Sequence, residues 1–262
     1  MSILDELAAS AQRRVANDQK DLPEGLLREL VAEMGPGDGW RFQEALRKEG
    51  LSFLCEVKKA SPSRGVIDPV FDHTGTARSY EEAGADAISC LTEPTRFLGS
   101  DRIFCEIRSC VRTPMLRKDF TVSTYQIRQA RILGAQAVLL ICALLSPAQL
   151  EQYLELCREC GLAALTETHD EAEIRMAVSA GAGIIGVNNR DLRTFSVDLS
   201  TAERLRGLVP ADTLFVAESG VRSPQDAAYM RRIGADAVLV GEALMRSRDK
   251  RAFLDSLRTA AR

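Results

Sequence analysis

The chain lacks any long apolar segment. None of its apolar runs approaches the roughly 18–20 consecutive residues that a membrane-spanning helix needs. Its first 21 residues, MSILDELAASAQRRVANDQKD, also lack the basic start, apolar centre and small-residue cleavage site of a secretory signal peptide. These absences predict a cytoplasmic protein with no membrane partner.

Blocks of like charge are also absent. The 262 residues include 34 Lys and Arg against 37 Asp and Glu, which gives a formal net charge of −3. A nucleic-acid-binding protein normally carries a stripe of basic residues, whereas the basic side chains here occur in short pairs such as Arg231-Arg232. The composition therefore argues against a nucleic-acid partner.

The sequence has few of the residues that build metal sites or hydrolase triads. It contains two histidines and no Gly-x-Ser-x-Gly motif, which argues against a serine hydrolase. Its seven cysteines are an odd number and lie mostly in apolar runs, as reduced thiols of a cytosolic protein do. Cys157 and Cys160 form one Cys-x₂-Cys pair, but a closed zinc site needs four ligands and there is no second pair. We expect these thiols to pack in the core and no metal to bind.

What the sequence does contain is a repeated motif of nine residues. It reads AGADAISCL at residues 83–91, LGAQAVLLI at 133–141, AGAGIIGVN at 180–188 and IGADAVLVG at 233–241. Each copy has a glycine where a helix would end, and a mostly apolar run follows it. A glycine just past a helix supplies a left-handed cap, and such a run is typical of a strand buried on both faces. Each copy thus predicts a junction from a helix to a buried strand.

Further apolar runs alternate with these copies, at residues 52–57, 114–116, 162–165 and 214–217. The intervening segments have helical periodicity, as in residues 147–160, where apolar side chains recur at i, i+3, i+4 and i+7. Eight strands alternating with helices predict an α/β fold, a (β/α)₈ TIM barrel. An open doubly wound sheet is the alternative, but it would need a glycine-rich dinucleotide turn after the first strand, and none is present.

Residues 1–48 precede the first strand. They contain two or three amphipathic stretches, with the sequence GPGDG at 35–39 as a break. We interpret them as an N-terminal helical extension packed on a barrel of residues 49–262, so that residues 1–262 form a single domain.

Charged side chains occur where the predicted strands end, and in a (β/α)₈ barrel the chemistry lies at these carboxyl ends. Glu56 and Lys58 share one face of the first strand because residues i and i+2 point the same way. Residues at the ends of three other strands should converge with them: Lys118, Glu167, Asn188 and Arg190. Acids and bases in one pocket shift each other's pKa values, as proton-transfer chemistry requires. The pattern predicts a catalytic pocket.

Other polar residues near these ends are interpreted differently. We expect Lys59 and Arg117, which lie on the opposite faces, to point toward helices or to make surface ion pairs. For Glu93 and Asp119, a place in the pocket and a structural role are equally open. His169 is expected to belong to the start of the helix that follows.

Two loops have the small residues typical of phosphate sites. Ser219-Gly220 and Gly241 follow the seventh and eighth strands, where many barrels bind phosphate through backbone N–H groups. Ser61, after the first strand, could add a hydroxyl. The sequence therefore predicts an anion site at the same end of the barrel.

Six segments, in order, carry a resemblance to a known family. They are CEVKKASPSRG (55–65), LRKDF (116–120), ETHDEAE (167–173), GVNNRDLRTFSVDL (186–199), VAESGV (216–221) and LVGEALM (239–245). Together they resemble indole-3-glycerol phosphate synthase. The resemblance implies a (β/α)₈ carboxy-lyase of tryptophan biosynthesis. Its substrate would be 1-(2-carboxyphenylamino)-1-deoxyribulose 5-phosphate, which it would convert to indole-3-glycerol phosphate with release of CO₂ and water. It implies no cofactor, and we expect a monomer or weak homodimer.

The resemblance also implies which residues catalyse the reaction. Lys118 would be the general acid that protonates the substrate ketone as the aromatic carbon attacks it. Glu56 and Lys58 would serve the dehydration as base and acid. Glu167 would stabilise cationic intermediates or share the base role. The implied catalytic set is Glu56, Lys58, Lys118, Glu167, Asn188 and Ser219.

The substrate-binding residues follow from the same resemblance. Asn188 and Arg190 would orient the carboxylate and hydroxyls, with Glu218 in support. Phosphate would be held by Ser61, Ser219, Gly220 and Gly241. The walls for the anthranilate ring would be Phe97, Phe120 and Leu139 or Leu140. Glu242, which we include among the binding residues, departs from the family because a hydroxyl residue is expected after the phosphate-loop glycine.

Two alternatives to the synthase make different predictions. Another phosphosugar barrel, such as the isomerase of the same pathway, would keep the phosphate loops but would need a Cys/Asp acid–base pair. A barrel that only binds a phosphorylated ligand would lack at least one of four charged residues. All four are present: Glu56, Lys58, Lys118 and Glu167.

Overall fold

The computed structural model of the protein describes residues 2–262. Eight parallel strands close into a barrel in which each strand pairs with the next barrel strand along the chain and the first pairs with the last. With a two-stranded hairpin included, the strands are β1 (Ser52–Val57), β2 (Ala60–Ser61), β3 (Gly65–Val66), β4 (Ala87–Leu91), β5 (Met115–Lys118), β6 (Ala137–Ile141), β7 (Ala163–Thr168), β8 (Ile184–Asn188), β9 (Leu214–Glu218) and β10 (Ala237–Val240). The barrel prediction is confirmed, whereas the β2–β3 hairpin in the loop after β1 was not predicted.

Helices precede the barrel and connect its strands. They are α1 (Ile3–Asp21), α2 (Glu24–Glu33), α3 (Trp40–Leu46), α4 (His73–Glu82), α5 (Asp101–Cys110), α6 (Thr124–Ile132), α7 (Pro147–Glu159), α8 (Glu171–Ser179), α9 (Ser200–Arg206), α10 (Pro224–Arg232), α11 (Glu242–Arg246) and α12 (Lys250–Ala260). Serine or aspartate side chains cap many of them, for example Ser146 at α7 and Asp170 at α8. Within residues 2–262, no helix has both the length and the apolarity to cross a membrane.

The repeated motif forms the helix-to-strand junctions that its glycines predict. Gly84, Gly134, Gly181 and Gly234 have φ angles of 79°, 82°, 77° and 84°, in the left-handed region. Each follows the end of a helix, and a fully buried strand begins within a few residues. The sequence therefore places these four junctions correctly.

Alternation along the strands divides the core into two layers. Side chains such as Leu54, Leu139 and Leu165 fill the barrel interior. Their neighbours in sequence, including Phe53 and Leu140, pack outward against the helices. Leu139 is therefore the residue that can wall the pocket, and the alternative, Leu140, points away from it.

The end of the barrel opposite the predicted site is closed by α3. Phe42 and Leu46 are fully buried and join the interior layer. The chain reaches this position through Gly39, whose backbone N–H donates to the carbonyl of Gly161, just before β7. The helices that precede the strands therefore contribute to the same core as the barrel.

Candidate active site

The carboxyl ends of the strands surround one pocket. All fifteen residues proposed from the sequence to catalyse or bind line it, and they come from the ends of all eight barrel strands: Glu56, Lys58, Ser61, Phe97, Lys118, Phe120, Leu139, Glu167, Asn188, Arg190, Glu218, Ser219, Gly220, Gly241 and Glu242. The barrel closure thus brings together side chains that are far apart in sequence.

Lys118 lies at the centre of the charged part of this pocket. Its Nζ is 3.3 Å from Oε2 of Glu167 and 3.5 Å from Oε2 of Glu218. Burial alone would lower the pKa of Lys118, but the charges of these two carboxyl groups and of Glu56 outweigh it and raise the pKa above its ordinary value. Lys118 is therefore an ammonium group at neutral pH.

Glu167 is buried at the end of β7 and is surrounded by donors. Besides Lys118, the side-chain amide of Asn188 donates to its Oε1 at 3.2 Å, and Nε2 of His169 lies 3.3 Å from the same oxygen. Burial would raise the pKa of Glu167, but the charge of Lys118 and the contacts with His169 and Asn188 hold it well below its usual range. The side chain is therefore a carboxylate.

Glu218, unlike Glu167, is protonated at neutral pH. Burial and the negative charge of Glu167 outweigh the attraction of Lys118 and raise the pKa of Glu218 to about 8. Its Oε1 is buried and has no hydrogen-bond partner within residues 2–262. At neutral pH the pocket therefore presents an ammonium, a carboxylate and a carboxylic acid together.

Glu56 and Lys58 form a second acid–base pair. Lys58 Nζ donates to Oε2 of Glu56, and both side chains are largely buried. Gly241 makes room for this pair, because a Cβ atom at that position would overlap with Glu56 Oε2 and lie 3.0 Å from Lys58 Nζ. The glycine thus has a packing role next to the acid–base pair in addition to the expected anion-binding one.

The loops after β9 and β10 form the polar end of the pocket. Ser219 and Gly220 have φ angles of 64° and 100°, so the backbone turns sharply directly after Glu218. Gly241 precedes α11, whose first residue, Glu242, accepts from Arg64 Nε at 3.2 Å. Consecutive residues in such turns present backbone N–H groups to an anion.

The other end of the pocket is apolar. The rings of Phe97 and Phe120 are tilted to each other with centroids 6.1 Å apart. Leu139 lies in the wall, and α1 adds Ile3, Leu4 and Leu7 to it. The pocket therefore has an aromatic, apolar part as well as the polar part that contains Lys118 and the glycine-rich turns.

Comparison with known proteins places the chain in a family. A family model described as Indole-3-glycerol phosphate synthase matches residues 4–257. The protein of that name from Ruminiclostridium cellulolyticum is 48% identical over 259 residues, which are 99% of this chain and 100% of the relative. The one from Endomicrobium trichonymphae is 52% identical over 206 residues, 79% of this chain and 80% of the relative. The chain belongs to the indole-3-glycerol phosphate synthase family.

Solved structures of other proteins share the fold of this synthase-family chain. Thiamine phosphate pyrophosphorylase from Pyrococcus furiosus superposes with a TM-score of 0.62 at 18% identity, covering 82% of this chain and 97% of the other. Tryptophan synthase subunit alpha from Legionella pneumophila gives a TM-score of 0.60 at 16% identity, covering 84% and 98%. At these identities the likeness supports the barrel fold alone.

Three charged residues outside the synthase-family candidates have structural roles. Glu93 is fully buried and accepts hydrogen bonds from the backbone amides of the loop that carries Phe97. Asp119 lines the pocket but binds Arg14 of α1 at 2.6 Å. Arg117 points toward the helices, the first of the two alternatives predicted for it, and its buried side chain binds Asp101 of α5 at 2.8 Å.

The sequence reasoning missed part of the synthase-family pocket. Amphipathic stretches were predicted in residues 1–48, but no local pattern shows that Ile3, Leu4 and Leu7 of the first one lie over the pocket. Arg222 and Phe195 also line it. Arg222 could have been found by the strand-end rule, since it lies four residues beyond Glu218, whereas Phe195 lies in a longer loop.

His169 was placed correctly but its contacts were not foreseen. It lies between β7 and Asp170, which caps α8 by accepting from the amide of Glu173 at 2.9 Å. Its imidazole nevertheless turns back toward Glu167. Within residues 2–262, no group of three or more His, Cys, Asp or Glu side chains is arranged to hold a metal ion.

Proposed function

We propose that the pocket catalyses the ring closure of 1-(2-carboxyphenylamino)-1-deoxyribulose 5-phosphate to indole-3-glycerol phosphate, with loss of CO₂ and water. Family membership supports this reaction, and one feature of the pocket carries the assignment of the site. A buried ammonium, Lys118, contacts two carboxyl groups in a pocket that is also lined by two phenylalanine rings and a glycine-rich turn. The substrate has the matching groups: a benzoate ring, a ketone and a phosphate.

The substrate binds with its phosphate in the turns after β9 and β10. Ser61, Ser219, Gly220 and Gly241 line the pocket, and in this proposal their backbone amides and hydroxyls donate to the phosphate oxygens. The aromatic ring lies between Phe97, Phe120 and Leu139. Asn188 and Arg190 orient the carboxylate and hydroxyl groups between the two ends. The ketone is then near Lys118.

Ring closure begins with a proton from Lys118. The ring carbon that bears the carboxylate attacks the ketone carbon, and the ketone oxygen takes a proton from the Lys118 ammonium and becomes a hydroxyl. The ring is then non-aromatic and cationic, and the Glu167 carboxylate stabilises this charge. Loss of CO₂ returns the bonding electrons to the ring and restores its aromaticity.

Dehydration completes the indole. Lys58 donates a proton to the departing hydroxyl, which leaves as water while the ring nitrogen supplies its electron pair. Glu56 accepts the proton from the neighbouring carbon, and the double bond of the pyrrole ring forms. Because Glu56 and Lys58 are in contact, the acid and the base of this step are on the same side of the pocket.

The experiment that tests the proposal is turnover of the purified protein without added metal, followed by indole absorbance and fluorescence. Lys118→Ala should lower kcat by on the order of 10² or more, because the ketone oxygen loses its proton donor. Lys59→Ala is the matched control, since Lys59 is not part of the pocket lining. No turnover by a folded sample would contradict the reaction. An effect of Lys118→Ala on KM alone would reduce Lys118 to a binding residue.

We also propose that this enzyme needs no cofactor and acts in the cytoplasm as a monomer or weak homodimer, with a small phosphorylated substrate and no nucleic-acid or membrane partner. The cysteine thiols are free, which fits a reducing compartment. The packing of Phe42 and Leu46 in the barrel interior supports one domain over residues 1–262, with 1–48 as the extension. Light scattering measures the oligomeric state, and a single cooperative unfolding transition would support one domain.

A further inference from the structure

His169 lies between two carboxylates at the edge of the pocket. Its Nδ1 is 3.0 Å from Oε2 of Glu173, and that oxygen also accepts from the backbone amide of His169 at 2.8 Å. Its Nε2 is buried, makes no hydrogen bond within residues 2–262, and lies at ion-pair distance, 3.3 Å, from Oε1 of Glu167. The ring therefore connects α8 to a candidate catalytic side chain at the end of β7.

Contacts on both nitrogens determine the charge of the ring. A neutral imidazole carries one N–H, so one of its two nitrogens would direct a lone pair at a carboxylate oxygen. An imidazolium carries an N–H on each nitrogen and attracts both carboxylates. The carboxylate oxygens next to both nitrogens therefore favour the protonated ring, and Glu173 holds it in place.

We infer that His169 is a positioning residue of the reaction: held by Glu173 as an imidazolium, it orients the Glu167 carboxylate and keeps it ionised beside Lys118. The inference rests on the proposed function, because Glu167 matters only if the pocket carries out that chemistry. His169 itself is not part of the pocket lining, so it acts through Glu167.

The other charged groups around His169 are consistent with an imidazolium. Burial would lower the pKa of His169, but the contacts with Glu167 and Glu173 raise it to about 10. On the far side of Glu167 are Lys118 and Glu218, and Asn188 donates to the same oxygen that His169 approaches. Two further titratable groups close to the Glu167–Glu173 pair are Asp170 and the thiol of Cys142.

Removal of the imidazolium has a defined consequence for the catalytic groups. Glu167 would keep Lys118 and Asn188 but would lose the cation next to Oε1, so its pKa would rise. A proton on Glu167 would weaken the stabilisation of a cationic intermediate and would remove a charge that keeps Lys118 protonated. The loss should appear as a lower kcat and as a shift in the acidic limb of the kcat–pH profile, because His169 does not contact the substrate.

The ionisation of the ring can be measured directly. The chain has two histidines, so a sample with labelled imidazoles gives two sets of NMR signals, and His73→Gln assigns them. The His169 signals should show the imidazolium form through pH 8, and Glu173→Gln should lower the pH at which the ring titrates. A ring that is already neutral at pH 8 would overturn the inference. This measurement needs no turnover, so it is independent of the proposed function.

Kinetics tests the positioning role. His169→Gln keeps a donor but removes the charge, and we expect kcat to fall by about tenfold, the equivalent of one pKa unit, with KM little changed. The acidic limb of the kcat profile should move to higher pH, which a purely structural loss would not produce. Glu173→Gln, which keeps the ring, should shift the limb in the same direction. An unchanged limb in both folded variants would overturn the role, whereas an inactive wild type would instead contradict the proposed function.

Discussion

At the scale of single residues, the site depends on the space left beside each charged group. Gly186 lies within the buried strand β8, where a glycine weakens a strand and usually marks a close approach of another group. That group is Glu218, because a Cβ atom at position 186 would overlap with its Oε1 and lie 3.2 Å from Leu165 Cδ1. The absence of a side chain at 186 therefore allows the Glu218 carboxyl to reach Lys118.

Gly186→Ala should disturb the carboxyl group without altering the chemistry of any catalytic side chain. We expect kcat to fall by roughly tenfold or more, because Glu218 must move away from Lys118 or distort β8. Gly183→Ala is the control, since a Cβ atom there meets nothing within 4 Å. The measurement is kcat together with the melting temperature of both variants. Full activity of folded Gly186→Ala would show that the position of Glu218 is unimportant.

At the scale of elements, α1 forms part of the pocket wall and is held there by two ion pairs. Arg14 donates to both oxygens of Asp119 at 2.9 and 2.6 Å, just beyond the end of β5. Glu6 binds Arg96 near the loop that carries Phe97. These contacts place the apolar side of α1 over the aromatic end of the pocket. The apolar part of the pocket wall thus depends on how the extension packs on the barrel.

Arg14→Met should loosen this attachment. Asp119 is buried between two guanidinium groups, those of Arg14 at 2.6 Å and Arg117 at 3.6 Å. Loss of the nearer one should cost about 3 kcal/mol of unfolding free energy, at the low end for a buried pair because Arg117 remains. Thr92 still donates to Asp119 at 2.7 Å, which limits the loss. Because α1 lines the aromatic end, KM should rise more than kcat falls. Urea unfolding and steady-state kinetics measure both effects.

Arg13→Met is the matched control for Arg14→Met. Arg13 is exposed on the same helix and makes no ion pair within residues 2–262. The Arg13→Met substitution should leave the free energy of unfolding and KM close to the wild-type values. Equal effects of the two substitutions would show that the contact with Asp119 does not hold the helix.

At the scale of the whole molecule, the charged pocket makes stability depend on pH. The pKa of His169 rises from its ordinary 6.5 to about 10, and that of Glu218 from 4.5 to about 8. The folded protein therefore binds more protons than the unfolded chain, for Glu218 between pH 4.5 and 8 and for His169 between pH 6.5 and 10. Stability must fall as pH rises through these windows.

The free energy of unfolding should decrease from pH 7 to pH 9, by at most about 1.4 kcal/mol per pH unit for each group. His169→Gln removes one of the two contributions, so its decrease over the same range should be smaller. Urea unfolding at pH 7, 8 and 9 measures both slopes. Equal slopes for the wild type and the variant would show that His169 does not gain a proton on folding.

Thiol exposure is a second property of the whole molecule that can be tested. Cys105 is exposed, Cys110 is half-buried, and the other five cysteines are buried. Burial raises the pKa of Cys142 to about 12, so its thiolate is scarce as well as inaccessible. A thiol reagent should modify Cys105 rapidly, Cys110 more slowly and all seven after unfolding. Cys105→Ser should lose the rapid phase, and rapid labelling of several thiols in the folded protein would contradict the packing.

The alternation of helices and strands could be predicted from sequence because the information is local. Each glycine of the repeated motif marks a left-handed helix end, and each apolar run that follows is typical of a strand buried on both faces. Period-two alternation likewise put Glu56 and Lys58 on one face. The charged candidates could be named because a barrel brings the ends of all its strands together, so a list of strand ends is already a list of neighbours. The walls for the ring, Phe97, Phe120 and Leu139, came from the family resemblance.

Contacts between distant segments depended on the tertiary structure. Sequence left Leu139 and Leu140 as alternatives, and the orientation of β6 in the closed barrel decided for Leu139. The position of α1 over the pocket and the approach of His169 to Glu167 depend on how helices pack, which no local pattern encodes. Sequence by itself determined the order of elements and the chemical groups at the strand ends, because both follow from local periodicity. Only the tertiary structure decided which groups touch and hence which carry a proton, because burial and neighbouring charge set each pKa.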